Sequence, residues 1–472
     1  MKKILIILLF YSITINSQVQ IGNEILGIEW SLFGTEVVLS SDGKTLAIGG
    51  PQSYTGYVEV YKYIEEDWVK TGNFRGESFW DLFGEHISLS CDGSVIAIGA
   101  PGNEGNQTSG GTNVGSIEVY KYNKSNNSWN QIGQDLNGYG SEDIHDFPIL
   151  SCDGNVVATH GKAGNKYRVY KNDNNNWVYA DDVRVDNNGY HLLNLSLDGK
   201  TFTNLGKVND TRVLQKFERS TNGHWVQSGP DYFFEELNFR TKIKLSRDGK
   251  TLAFSIGLKT NESDDYIDHG KVVTYRFVDN NWVKIGQEIS EPVTNPNITL
   301  SKNGNFMALG NNNRNINTSN RVRVFKLESN LWVNINTIKY DDNDSQLDGL
   351  GGGGMSFSDD GNIIAIGYPT APNGGDSRYV PGKVKVFDLS KSLKTKTFLS
   401  NTFVFYPNPA SKEIKIELNN SILKEVSIYN NLGQFIKSSK KTAIDTSKLE
   451  SGIYFLQVET NKGKSTKKLV IE

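Results

Sequence analysis

Leu39-Ser40-Ser41-Asp42-Gly43 closes one apolar run, Glu36-Val37-Val38, and opens onto another, Thr45-Leu46-Ala47-Ile48-Gly49. An Asp-Gly pair between two β-favouring runs marks a hairpin, because the turn needs a residue at positive φ. The pattern returns at 89–93, 150–154, 195–199, 245–249, 300–304 and 357–361, so seven copies occur, with Asp or Asn at 42, 92, 153, 198, 248, 303 and 360. The mean step of about 53 residues suits four short strands with their loops. Each Asp or Asn beside Gly is read as a turn former rather than a metal ligand.

A third strand follows each pair, alternating with period two, as in Tyr57-Val58-Glu59-Val60-Tyr61-Lys62-Tyr63. A polar turn then leads to a strand opened by Trp68, Trp129, Trp177, Trp225, Trp282 or Trp332. The regular placement of these six residues predicts packing between repeats rather than sugar platforms. The seventh repeat ends at Asp388 without such a strand. Gln18-Val19-Gln20-Ile21-Gly22 matches Trp282-Val283-Lys284-Ile285-Gly286 and supplies the missing strand. The expected fold is therefore all-β: a seven-bladed β-propeller over 18–389, closed by an N-terminal strand that completes the last blade, followed by a small β-sandwich.

The ends fit an exported chain. Lys2 and Lys3 precede an apolar run from Ile4 to Ile15, and residues 1–17 read as a signal peptide. The run is too short for a spanning helix, and no membrane-spanning segment is expected after its removal. Residues 391–472 carry a net charge of +7 and residues 1–390 one of −10. An acidic body argues against a nucleic-acid partner, and the basic tail is read as a solvated strand face. The only cysteines, Cys91 and Cys152, occupy the same place in neighbouring repeats. Export permits a disulfide. Seven-fold geometry brings such equivalents within bridging range only near the axis, so two thiols are expected.

Leu32-Phe33-Gly34-Thr35-Glu36-Val37 with Ile48-Gly49-Gly50-Pro51 resembles the FG-GAP propeller repeat, as does Leu82-Phe83-Gly84 with Ile98-Gly99-Ala100-Pro101. Repeat seven keeps Gly352 and Gly367-Tyr368-Pro369, whereas repeats three to six lose the Phe-Gly and Gly-x-Pro elements. The Asp-rich calcium loop of some members is missing, since Asn103 to Gly115 carries one acid, Glu104. After a linker at 390–402, residues 403–472 resemble the type A C-terminal sorting domain of the type IX (Por) secretion system of Bacteroidetes. Tyr406-Pro407-Asn408-Pro409, the Leu432-Gly433-Gln434 turn, Gly452 and Tyr454 in Leu-x-x-Gly-Ile-Tyr, and the basic Lys467-Lys468 end carry that likeness. The resemblance implies passage across the outer membrane by the type IX machinery, and then release or surface attachment.

In an up-and-down blade the Asp-Gly turns share one face with the turns before each Trp. The longer insertions at 101–115, 257–270, 310–321 and 367–382 lie on the other face, together with Trp30, Phe79 and Trp80. Loops on a rigid scaffold carry binding, and these three aromatics are the candidate ligand residues for a protein or glycan. No cofactor is required. Asp341, Asp342, Asp344 and Asp348 are the candidate oxygen ligands for Ca2+, although their spacing is not that of an EF-hand. The six His residues show no metal-ligand spacing, and no Gly-x-Ser-x-Gly elbow occurs. The leading expectation is a secreted or surface binding or adhesion protein. The alternative is an extracellular polysaccharide lyase or hydrolase using carboxylates of the central channel.

Overall fold

The computed structural model describes residues 19–472 apart from 30, 53, 105–113, 139–144, 146, 161–165, 185–191, 197–198, 209–210, 223, 234–241, 259–268, 292–295, 311–320, 340–352, 370–380, 391–402, 419–421, 431–433 and 461–462. The proposed signal peptide and nearly all of the 390–402 linker lie outside the described residues. Every element assigned among the described residues is a β-strand. No described helix is long and apolar enough to cross a membrane. The chain divides into two compact units, Met1–Ser392 and Leu393–Glu472.

Among the described residues the first unit holds seven antiparallel sheets of four or five strands. The first runs Glu36–Leu39, Thr45–Gly50, Tyr57–Ile64, Asp67–Arg75, with neighbours in sequence paired in space. The innermost strands are Glu36–Leu39, His86–Leu89, Phe147–Leu150, Leu192–Leu195, Lys242–Leu245, Asn297–Leu300 and Met355–Phe357. Each touches the next in this order, and Met355–Phe357 touches Glu36–Leu39. The architecture is propeller-like.

Its core is a series of layers between neighbouring sheets. Val37, Leu39, Leu46 and Ile48 of the first sheet pack with Val384 and Val386 of the last. The inner strands alternate, with Val37 and Leu39 buried and Glu36 and Val38 half-buried. Period two puts one face into the layer and the other towards the inner edge.

The repeated turn explains the repeated residues. Ser40 Oγ donates to Asp42 Oδ1 at 2.7 Å and accepts the Thr45 N–H at 2.9 Å. Asp42 Oδ1 also accepts the Lys44 N–H, and Gly43 sits at φ +69°. The same set holds Ser90, Asp92 and Val95, and again Ser358, Asp360 and Ile363. In these turns one carboxylate oxygen, Oδ1, of Asp42, Asp92 and Asp360 is taken up by local hydrogen bonds.

The Phe-Gly element has an equally local reason. Gly34 adopts φ +91°, and its carbonyl lies against Gly367 so closely that a Cβ there would meet the oxygen at 1.9 Å. Only paired glycines let the two sheets approach in this way.

Residues at the start of the described chain join the last sheet. Val19 pairs with Asp388, Gln20 with Phe387, Ile25 with Val384 and Leu26 with Lys383. The Ile21 N–H donates to the Val386 carbonyl at 2.9 Å. The strand matched to the missing one in repeat seven therefore pairs where that repeat needs it.

One expectation fails. Cys91 and Cys152 form a disulfide, with Cα atoms 4.6 Å apart. The residue after Leu-Ser leaves the innermost strand at the narrow end of the sheets, where successive turns bond directly. The Cys91 N–H donates to the Cys152 carbonyl at 2.9 Å, and the Ser41 N–H to the Cys91 carbonyl at 2.8 Å. The radius at this point is small enough for a bridge.

In the second unit a three-stranded and a four-stranded sheet share one core that includes Phe403, Ile414, Ile416, Val426, Leu456 and Leu469. This is a small β-sandwich. Its motif residues staple the first strand to the last. Asn408 Nδ2 donates to the Lys468 carbonyl at 3.0 Å, and Asn408 Oδ1 accepts the Val470 N–H at 2.8 Å. Lys467 Nζ donates to the Phe403 carbonyl at 2.6 Å, and Tyr454 Oη to the Glu450 carbonyl at 3.1 Å. Gly452 begins the strand Gly452–Thr460, paired with Ile471. Tyr406 donates to Glu417. Gly433 lies outside the described residues.

Candidate binding face and inner edge

Of the three aromatics singled out from sequence, Phe79 and Trp80 are open to solvent, at 69% and 76% exposure. Trp30 lies outside the described residues. The structure adds Tyr54, 76% exposed, whose ring meets Phe79 edge-on with centroids 5.8 Å apart. Tyr54 belongs to the loop between the second and third strands of the first sheet. Phe79 and Trp80 belong to the connection into the second sheet.

The frame beneath them is fixed. The Trp80 N–H donates to the Tyr54 carbonyl at 3.1 Å, and the Phe83 N–H to the Thr55 carbonyl at 3.2 Å. Asp81, itself buried, accepts the N–H groups of Glu77 and Ser78 at 3.1 and 2.7 Å. Tyr54, Trp80 and Leu82 all adopt positive φ, at +49°, +71° and +55°. For residues with a Cβ each such position costs about 1 kcal/mol or more. Two large rings, Tyr54 and Trp80, stand exposed on this frame.

The inner edge carries a different chemistry. Glu36 is half-buried there, and burial pushes its carboxyl up to about 7 against the opposing pull of Lys244. His86 and Phe147, from neighbouring sheets, lie with ring centroids 4.3 Å apart. Lys242 Nζ reaches Asn297 Oδ1, and Asn297 Nδ2 donates to the Gly353 carbonyl at 3.3 Å. Sequence reasoning passed over Glu36 and Lys244. They appear only as polar positions of two distant alternating strands.

At the turn end, side chains reach between sheets. Arg247 Nη1 lies 3.4 Å from Asp359 Oδ1, and its Nη2 donates to the Leu89 carbonyl at 3.2 Å. Lys302 Nζ is 3.0 Å from Asp359 Oδ2. With the disulfide, these contacts tie the second, third, fifth, sixth and seventh sheets together. Among the described residues no group of three or more His, Cys, Asp or Glu is placed to hold a metal ion. Asp341, Asp342, Asp344 and Asp348 lie outside the described residues.

Residues 404–472 match the Por_Secre_tail family, the secretion system C-terminal sorting domain. The protein is exported by type IX secretion to the cell surface or the extracellular space. Among curated proteins none matches the chain. Similar solved structures include Kuenenia stuttgartiensis hydrazine synthase, at 15% identity and TM-score 0.48, covering 73% of this chain and 94% of that one. Pseudomonas aeruginosa periplasmic gluconolactonase, PpgL, is 16% identical with TM-score 0.45, covering 65% and 85%. The WD40 repeats of RRP9 are 11% identical with TM-score 0.48, covering 79% and 99%.

Proposed function

We propose that this is an exported binding protein, released from or displayed on a Bacteroidetes cell, that presents one face of a propeller to a glycan or protein ligand. In this reading the seven sheets are the blades of a closed ring of FG-GAP-like repeats. The N-terminal strand completes the last blade, and residues 1–17 direct export across the inner membrane. The observation that carries the binding role is the exposed Tyr54–Phe79–Trp80 group on its hydrogen-bonded, positive-φ frame. Aromatic faces held in water at a conformational cost are suited to stacking on a partner.

The test is a glycan and protein array probed with the full mature chain and with a Phe79→Ala/Trp80→Ala variant. Binding by the first and its loss in the second support the reading. No binding by the mature chain, or equal binding by both, contradicts it.

The enzymatic alternative has one observation in its favour. Glu36 combines a carboxyl that titrates near neutrality with a position on the inner edge, as a general acid requires. Release of reducing ends or unsaturated sugars from polysaccharide, lost in Glu36→Gln, would support it.

A further inference from the structure

The repeats obey a packing rule at their Asp-Gly turns that breaks at one boundary, and a second contact, at the strand-opening tryptophans, is also lost there. In six of the seven Asp-Gly turns the glycine lies against the residue that opens the second strand of the preceding sheet. A Cβ added at Gly93 would meet Thr45 at 2.5 Å, at Gly154 Val95 at 2.7 Å, at Gly304 Thr251 at 2.2 Å and at Gly361 Phe306 at 2.2 Å. Gly43 lies against Ile363 at 3.0 Å, and Gly199 touches Val156 at an ordinary 3.4 Å. Gly249 of the fifth sheet has nothing within 4 Å, although Thr201 opens the corresponding strand of the fourth.

The second rule concerns the strand-opening tryptophans. Gly22, Gly72, Gly133 and Gly286 each lie against the Trp of the next sheet, within 2.3–2.9 Å of where a Cβ would stand. The indole N–H groups of Trp68, Trp177 and Trp332 donate to Ile21 O, Ile132 O and Thr274 Oγ1. Gly229 of the fourth sheet would meet only Tyr232 Oη, at 3.7 Å, and does not reach Trp282. Trp282 is half-buried, as are Trp129 and Trp225, whereas Trp68, Trp177 and Trp332 are buried, and the indole N–H groups of these three half-buried residues have no partner among the described residues. The fourth sheet's outer strand, Trp225–Gln227, has 3 residues, against 9 in Asp67–Arg75 and 11 in Asn281–Glu291.

The result is a cavity of about 360 Å³ between the fourth and fifth sheets, lined among others by Thr201, Thr203, Lys216, Asp248, Phe277 and Trp282. That size lies within the range of small-molecule sites, roughly 300–1,000 Å³. Tyr232 bridges its rim, donating to the Asn280 carbonyl at 2.5 Å and meeting Phe277 edge-on at 6.0 Å. The Asp-Gly turn of Gly249 and the Asp279–Asn280 turn place it on the turn face, opposite Tyr54, Phe79 and Trp80.

We propose that this cavity binds a single pyranose unit of a glycan. Phe277 and Trp282 offer aromatic surface to the C–H face of a sugar ring. Lys216 pairs with Glu218 at 2.6 Å and lies over one face of the Phe277 ring. The Trp282 N–H and the Thr201 and Thr203 hydroxyls supply donors, and Asp248 supplies Oδ2 as an acceptor, its Oδ1 being bonded to Ser246 Oγ and the Lys250 N–H. A wholly apolar ligand would leave these groups unpaired at a cost. A phosphate would face the Asp248 and Asp279 carboxylates.

The test is calorimetric titration of the full mature chain with methyl pyranosides of hexoses, deoxyhexoses, N-acetylhexosamines and hexuronic acids. Thr201→Phe places in the cavity the side chain that Phe306 carries at the same position of the sixth sheet. It is expected to abolish binding while the thermal midpoint stays level or rises. Trp282→Phe keeps the ring, removes the N–H, and is expected to weaken binding about fivefold. Pyranoside binding at the loop face alone would survive Thr201→Phe, which separates the two sites. The proposal is overturned if no pyranoside binds the mature chain at millimolar concentration. It is equally overturned if folded Thr201→Phe, or Trp282→Phe, binds as the parent does.

Discussion

The indole N–H of Trp68 donates to the carbonyl of Ile21 at 3.0 Å, across 47 positions of sequence. Trp68 belongs to the outer strand of the first sheet, and Ile21 follows the strand that joins the last. The Asp67 carboxylate adds two bonds to Asn23, from its N–H and its side-chain amide, each at 2.8 Å. The first and last sheets are thus held to the same short N-terminal segment.

Trp68→Phe removes that bond from a buried site and leaves a small void. We expect a loss of about 2 kcal/mol, read as a lower urea midpoint at unchanged slope. A midpoint equal to the parent's would mean that the N-terminal segment is not held there.

The disulfide closes a segment with a sequence separation of 61 residues. Restricting the unfolded chain over such a loop is worth about 4 kcal/mol in the chain-entropy estimate. Cys91→Ser/Cys152→Ser should lose a large part of that. Reductant should shift the unfolding midpoint of the parent and leave the variant unmoved.

Stability should also depend on pH with two opposing signs. Glu36 and Glu118 titrate at about 7 in the folded state, against an ordinary 4.5. Burial is the main cause for both. Lys244 opposes it at Glu36, and the Tyr120 hydroxyl opposes it at Glu118. The folded state favours their protonated forms, so their contribution is full below about 4.5 and is lost as pH rises through 7. At Asp92, Asp153 and Asp360 burial acts upward, but the turn hydrogen bonds outweigh it and hold the carboxyls below their ordinary value. Their contribution is present above that value and is lost as pH falls. Urea midpoints should therefore decline from mildly acidic pH towards neutrality, and Glu36→Gln/Glu118→Gln should flatten that decline.

The elements legible in the sequence are those whose causes are local. Ser40, Asp42 and Gly43 make their turn from bonds within six residues, so seven copies could be read directly. The N-terminal strand was legible because Val19 and Ile21 repeat the spacing of Val283 and Ile285. The disulfide was misjudged because turn radius is a tertiary quantity that spacing does not carry. Tyr54 was missed because nothing in Tyr54-Thr55-Gly56 announces that its ring will meet Phe79. Trp282 looks like its five counterparts in sequence. The gap beside it, where Gly229 does not reach its ring, is a matter of packing that the repeat pattern does not carry.

The proposed ring closes where Val19–Gln20 and Ile25–Leu26 pair with the last sheet's Lys383–Asp388. Gln20 and Phe387 face each other in that pairing, next to the bonded Ile21–Val386 pair. Such non-hydrogen-bonded pairs bring Cα atoms to about 4.5 Å, within disulfide range. The decisive measurement is peptide mapping by mass spectrometry of an oxidised Gln20→Cys/Phe387→Cys variant. A linked pair of peptides spanning these positions is predicted. Two free thiols in folded protein would contradict the ring.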